Sequence, residues 1–156
     1  MTISRQTQLE YGPLRESMLP EIMEIEREAY PEPWTIGMFR DEMSSKRSYF
    51  RVVRADGELI GYSGFWLVLD EAHITSVTVR CERRGLGYGR QQVEHLLEAA
   101  LERGSRVATL EVRESNLPAR KLYDALGFRA VGTRKGYYAR TNEDAIVMLL
   151  NLENDA

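Results

Sequence analysis

Leu19, Ile22, Ile25 and Ala29 recur at helical spacing through a run of glutamates, which predicts an amphipathic helix over residues 18 to about 30. Pro31 and Pro33 end it, because a proline ring cannot continue a helix. Thr35 then has the hydroxyl to cap a second, short helix through Phe39 and Met43. The rhythm next changes to that of strands, at 49–54 and 58–67, joined by an Ala-Asp-Gly turn of hairpin type. A third strand, AHITSVTV at 72–79, is rich in β-branched residues. Val93, Leu96, Leu97, Ala100 and Leu101 restore the helical period until Gly104 stops it. After the strand VATLEV at 107–112, Asn116-Leu117-Pro118 opens a helix with Ala119, Leu122, Tyr123 and Leu126 on its apolar face, closed by Gly127. Segments 128–131 and 145–150 finish as strands around a loop at 134–142. Two helices, three strands, helix, strand, helix and two strands predict a mixed α/β domain around one sheet.

Between the third strand and the third helix lies Arg84-Gly85-Leu86-Gly87-Tyr88-Gly89. A glycine-rich turn there points backbone N–H groups and the positive end of a helix outward, where a phosphate sits well. The spacing excludes two nucleotide readings. No Lys-Ser or Lys-Thr pair follows, as a P-loop requires, and the glycines alternate strictly instead of forming G-x-G-x-x-G. The pattern is R-x-x-G-x-G, from Arg84 to Gly89, and it resembles the acetyl-CoA pyrophosphate loop of the GNAT acetyltransferase superfamily. Read by itself it is equally a tight turn whose glycines supply positive φ.

Composition narrows the class. A chain of 156 residues, 43% hydrophobic and 29% charged, suits one folded domain without disulfide or metal staples. Residues 1–156 read as that single domain, with a core at about 11–152. No apolar run approaches a membrane span, and MTISRQTQLEYG lacks the apolar stretch of a secretory signal. One cysteine, Cys81, forms no internal disulfide and suits a reducing cytoplasm. With two histidines besides it, no metal site is expected. A net charge of −3 gives no global field for nucleic acid. Charge is uneven, however: Glu16, Glu21, Glu24, Glu26, Glu28 and Glu32 crowd the first helix, and Arg80, Arg83, Arg84 and Arg90 crowd the glycine turn. Both clusters read as solvated surface, or as an acidic wall for a cationic acceptor and a basic floor for phosphates.

A second motif is denser. Leu110-Glu111-Val112-Arg113-Glu114-Ser115-Asn116, with Ala119, Leu122-Tyr123 and Gly127-Phe128, is similar to the RimI type of that superfamily, the ribosomal-protein-alanine N-acetyltransferases. Ile25-Glu26 with Pro33-Trp34, Ala72-His73-Ile74, and Arg134-Lys135-Gly136-Tyr137-Tyr138 with Glu143-Asp144-Ala145 match it too, so the resemblance spans about residues 15–150. Two departures fall in the loop: Arg80-Cys81-Glu82 replaces an Asp-Pro or Glu-Pro, and Arg84 stands where some members have glutamine. The loop works mostly through backbone N–H groups, so neither change is expected to cost cofactor binding.

The resemblance implies a GNAT-type fold, a mostly antiparallel sheet flanked by helices with acetyl-CoA in a cleft of the sheet. It implies acetyl transfer to the N-terminal alanine of a small-subunit ribosomal protein, the eighteenth, in a ternary complex in the cytoplasm, without membrane or nucleic-acid partners. Glu111 would be the general base and Tyr123 the general acid. Val77, Thr78 and Val79 would pair with the pantetheine arm through main-chain atoms. Arg84, Gly85, Leu86, Gly87, Tyr88, Gly89 and Arg90 would bind the pyrophosphate, with Asn116 also on the cofactor. Tyr137 and Tyr138 would face the acceptor. Without the family, Glu111 reads as a surface carboxylate paired with Arg113, Tyr123 as a core tyrosine, Asn116 as a helix cap and His73 as a strand residue. Acetylation of a lysine, polyamine or other small amine, and a non-catalytic CoA-binding module, are the alternatives.

Overall fold

The computed structural model describes residues 8–153. The helices α1 (Leu19–Ala29), α2 (Ile36–Ser44), α3 (Tyr88–Glu102) and α4 (Leu117–Ala125) all fall on segments of helical period. The strands are β1 (Leu9–Gly12), β2 (Ser48–Ala55), β3 (Glu58–Val68), β4 (Glu71–Val79), β5 (Val107–Arg113), β6 (Arg129–Tyr138) and β7 (Glu143–Asn151). Strand β1 was not expected. Its four residues LEYG are too few to display a period, and it forms because its backbone finds the free edge of β2. Strand β6 runs to Tyr138, so the expected loop at 134–142 shrinks to the turn between β6 and β7. Nearly every β6 side chain is exposed, which removes the alternation that would have marked it.

The seven strands form one sheet in the order β1-β2-β3-β4-β5-β7-β6. Every pairing is antiparallel except β4 with β5. Asp56 and Gly57, both at positive φ, close the β2–β3 hairpin in the mirror-image turn whose twist matches the strands. Thr35 caps α2 by accepting the Met38 N–H at 3.2 Å. Helices α1 and α2 pack Leu19, Ile22, Ile25 and Phe39 on Phe50, Val52, Leu59 and Tyr62. On the opposite face α3 and α4 pack Val93, Leu96, Ala100 and Tyr123 on Leu110, Val112 and Phe128.

The parallel pair is short. β4 matches β5 only at Glu71–Val107, Ala72–Ala108 and His73–Thr109. The register between β3 and β4 shifts between Gly64 and Phe65, which leaves Thr75 as the bulged residue of β4. From Ile74 onward β4 therefore parts from β5, and its backbone has no strand on that side.

Where β4 lies free on one edge, it is held tightly on the other. A Cβ built on Gly61 of β3 would stand 2.1 Å from the Thr78 carbonyl oxygen and 3.1 Å from Gln92 Nε2. Gln92 is fully buried and donates to that same carbonyl at 3.0 Å. Gly61→Ala is accordingly expected to destabilise the fold by about 3 kcal/mol, because main chain and a buried donor must both move. Urea unfolding monitored by circular dichroism checks this, with Gly12→Ala, which meets nothing within 4 Å, as the neutral control.

Candidate functional site

The parting strands open a cavity of about 1010 Å³. Its walls are the end of α1 with the loop Pro31–Trp34, the free stretch of β4, the outer half of β5, the start of α4, and Tyr137 to Glu143 at the β6–β7 turn. Glu111 and His73 sit on the α1 side of the sheet, whereas Tyr123 comes from α4 on the other side. All three line this cavity, so it passes between the separated strands.

Glu111 is largely buried and both its oxygens are engaged. Oε2 lies 2.6 Å from His73 Nε2, and Oε1 accepts from Arg134 Nη1 at 3.0 Å. These contacts, the His73 bond first, hold its carboxyl below the usual carboxylate range against the opposing effect of burial. The same bond draws the His73 pKa upward. The expected partner of Glu111, Arg113, turns elsewhere: its guanidinium lies 3.8 Å above the Tyr138 ring and donates to Thr141 Oγ1 and Glu143. His73, read from sequence as a plain strand residue, is thus the closest polar neighbour of Glu111. The signal for it was available, since parallel pairing sets His73 two residues from Glu111 along the neighbouring strand.

Tyr123 is buried, with its ring edge-on to Phe128 at 5.6 Å. Burial pushes its phenol pKa up, so the group keeps its proton across the ordinary pH range. Asn116 caps α4 by accepting the Ala119 N–H at 3.3 Å and also faces the cavity. Tyr137 and Tyr138 line the cavity beside the β6–β7 turn, and desolvation lifts the Tyr138 phenol to about 12.

The glycine turn leads into α3. Gly85 and Gly87 have φ of +80° and +83°, a conformation glycine adopts without strain, whereas Gly89 is helical. Gly87 stands at the N-cap and carries no capping side chain, so the first-turn N–H groups of Tyr88, Gly89 and Arg90 lack partners within the helix. The Tyr88 ring is buried with Leu9, Val53 and Ile60, leaving only its amide for a ligand, while Leu86 is exposed. Not all the arginines are free. Arg80 pairs with Glu21 and Glu58, Arg83 with Glu58, and Arg90 with Glu94 at 2.8 Å. Arg84 donates to the Val79 carbonyl at 3.2 Å. The acidic run is similarly dispersed: Glu16 holds Arg40, Glu21 holds Arg80, and only Glu26 and Glu32 of that run line the cavity. Val77 lines the opening, whereas Thr78 is buried behind it, its hydroxyl 2.7 Å from Tyr30 Oη. Among the described residues no cluster of three metal-ligating side chains occurs, and no helix is long and apolar enough to cross a membrane.

A strand edge opened by a bulge, followed by a glycine turn at a helix N-terminus, is an arrangement that receives an extended ligand ending in phosphates. The acetyltransferase (GNAT) family model matches residues 19–128, most of the chain. The chain belongs to the GNAT acetyltransferase family. It is 34% identical over 134 residues to the ribosomal protein bS18-alanine N-acetyltransferase of Escherichia coli, covering 85% of this chain and 90% of that one. A Bacillus subtilis protein, provisionally named for the same activity, is 36% identical over 135 residues, covering 86% and 89%. The crystal structure of the E. coli enzyme superposes with a TM-score of 0.85 at 30% identity, covering 96% of this chain and 97% of that one.

The linkage of the pair has a definite sign. Glu111, with its pKa lowered on folding, adds stability above its unfolded pKa that is lost as pH falls through the folded value. His73, with its pKa raised, adds stability below about 6.5 that is lost as pH rises through the folded value. Their joint contribution is greatest between those limits. In Glu111→Gln the His73 ring should titrate at lower pH than in the wild type. Following its Cε1 proton by NMR against pH tests this, and an unchanged midpoint would break the pairing.

Proposed function

We propose that this acetyltransferase moves an acetyl group from acetyl-CoA to the N-terminal alanine of ribosomal protein bS18, by direct transfer in a ternary complex. The observation that carries the proposal is the placing of Glu111 and Tyr123 on opposite sides of one opening in the sheet. An attacking amine on the α1 side and a departing thiolate toward α4 would each meet a group suited to it. The kinship with two bS18-alanine N-acetyltransferases over most of both chains supports the choice of acceptor.

Acetyl-CoA would lay its pantetheine arm along Val77–Val79, with the pyrophosphate on the amides at 85–90 and Arg84 beside it. The acceptor terminus would enter between the Pro31–Trp34 loop and Tyr137–Tyr138. An α-amino group has a pKa of about 7.7–8.0, so roughly one molecule in ten is neutral at pH 7. The His73–Glu111 pair takes up the remaining proton, directly or through water. The ring's pKa, drawn upward by the carboxylate, lies nearer the amine's than that of a free carboxylate would, and the two groups titrate as a unit. The neutral amine attacks the thioester carbonyl, a C–N bond forms, and the tetrahedral intermediate expels the CoA thiolate. Tyr123 donates its proton to that sulfur. Cytoplasmic placement follows from a ribosomal-protein acceptor.

A thiol-release assay with acetyl-CoA and two peptides tests the proposal. One peptide carries a free Ala-Arg terminus; the other has the same sequence with a blocked terminus and an internal lysine. Turnover is expected only with the free terminus, and Glu111→Gln and Tyr123→Phe should each lower kcat/KM by about 100-fold. Turnover of the blocked peptide would move the assignment to lysine acetylation. Tight acetyl-CoA binding with neither peptide consumed would leave a small-amine acceptor or a CoA-binding module.

A further inference from the structure

Of two buried carboxylates that the proposed chemistry leaves unused, Glu26 and Glu42, Glu26 alone reaches the cavity. Glu26, in the last turn of α1, is 3% exposed, yet its side chain borders the cavity on the acceptor side. Among the described residues no cation pairs with it. Its Oε2 accepts the main-chain N–H of Trp34 at 2.9 Å, and its Oε1 accepts the phenol O–H of Tyr62 at 2.5 Å. A carboxyl taken out of water and given two neutral donors is costly to keep unless its position matters.

What it holds is the loop between α1 and α2. Pro31 and Pro33 have no N–H, so this loop cannot tie itself down by an ordinary backbone ladder. Its outer side is fastened to the β6–β7 turn, where the Arg140 amide donates to Glu32 Oε1 at 2.7 Å and the Arg140 guanidinium to the Pro31 carbonyl at 2.6 Å. Its inner side is fastened by Glu26. Trp34, whose amide Glu26 receives, packs its ring on the fully buried Phe39 at 5.1 Å and lines the cavity. The other end of the contact reaches the cofactor side. Tyr62 pairs in register with Thr78 of β4, and the Thr78 hydroxyl meets Tyr30, four residues after Glu26 on the same helix.

We infer that Glu26 is a positioning residue of the acceptor pocket: through the Trp34 amide and the Tyr62 hydroxyl it fixes the wall against which the incoming terminus lies. It acts as a hydrogen-bond acceptor and does not touch the reacting atoms. The inference rests on reading this cavity as the acceptor site.

The test uses Glu26→Ala, Glu26→Gln and Tyr62→Phe in the full chain, with acetyl-CoA and the free Ala-Arg peptide. Glu26→Ala should raise KM for the peptide about tenfold and leave KM for acetyl-CoA within twofold. Glu26→Gln, which keeps an acceptor for Trp34 and a partner for Tyr62, should return peptide KM to within threefold of the wild type. Tyr62→Phe should fall between. In the same proteins, exchange of the Trp34 amide proton, read by NMR, should speed up at least tenfold in Glu26→Ala and stay slow in Glu26→Gln. Equal rises in both KM values, or a Gln variant as impaired as the Ala variant, would overturn the inference. The amide exchange keeps the two readings apart. A wild-type protein that ignores the peptide removes the proposed acceptor, whereas an unchanged Trp34 exchange rate in Glu26→Ala removes the positioning role whatever the acceptor. If Glu26→Ala does not fold, Tyr62→Phe carries the decision, and wild-type peptide KM in that variant would count against the inference.

Discussion

Strands β4 and β5 run parallel but share only three paired positions, and everything the molecule can do follows from their parting. A parallel pair cannot be closed by a hairpin. The chain instead crosses over through the glycine turn and α3, which brings a helix N-terminus to the end of β4. The bulge at Thr75 turns β4 away just as the crossover begins. An interior strand edge is thereby left with N–H and C=O groups facing a cavity instead of a neighbour. Such an edge is unfavourable in isolation and complementary to an extended, amide-bearing ligand. The opening is held by polar props. Tyr30 bonds the Thr78 hydroxyl and approaches the Val77 carbonyl, and Arg80 ties the far end of β4 to Glu21 and Glu58.

The charges that crowd the sequence do less at the site than their number suggests. Arginines near the glycine turn and glutamates near the first helix mostly find partners outside the two clusters: Arg83 pairs with Glu58, Arg90 with Glu94 and Glu16 with Arg40. Arg80 with Glu21 joins the clusters directly, across 59 positions of sequence. Exposed pairs of this kind contribute little stability each. On the proposed reading their effect is to leave the phosphate end of the cleft to backbone amides, with Arg84 nearby, and the acceptor end to Glu32 and the tyrosines. Binding through main-chain donors would tolerate the substitution of Arg80-Cys81-Glu82 for the usual acidic-Pro pair, because it would depend on Gly85 and Gly87 holding positive φ.

Much of the fold was legible. Each helix follows from periodicity, and the strands β2 to β5 from runs of apolar and β-branched residues, which in β3 are buried on both faces. β1 and most of β6 were not legible, for a common physical reason: they are the two edge strands, defined by backbone pairing and not by what their side chains bury. The site divides the same way. The glycine turn, Asn116 and Tyr123 announce themselves through local grammar, a strand-turn-helix and a capped amphipathic helix. The partner of Glu111 does not, since Arg113 is near in sequence but His73 is near in space. Only the strand order, with β4 beside β5, brings His73 to the carboxylate.

Two carboxylates face the same cavity under opposite influences. Glu26, removed from water and given only neutral donors, has its pKa raised, with desolvation the largest cause. Glu111, bonded to an imidazole and a guanidinium, has its pKa lowered despite partial burial. Divergent environments for two like groups are how one site assigns them different work. The carboxylate that sits against an imidazole and a guanidinium stays ionised to lower pH, which on the proposed reading suits a place where charge moves. The one held by an amide and a phenol takes up a proton more readily than an ordinary carboxylate, because two neutral donors offset only part of what burial costs its charge. It belongs to the frame. Had the partners been exchanged, with His73 and Arg134 beside Glu26, the carboxylate of the frame would hold its charge and the one at the opening would favour the neutral form. The separation of the two is therefore what keeps the ionised carboxylate at the opening in the sheet and the more readily protonated one in the frame.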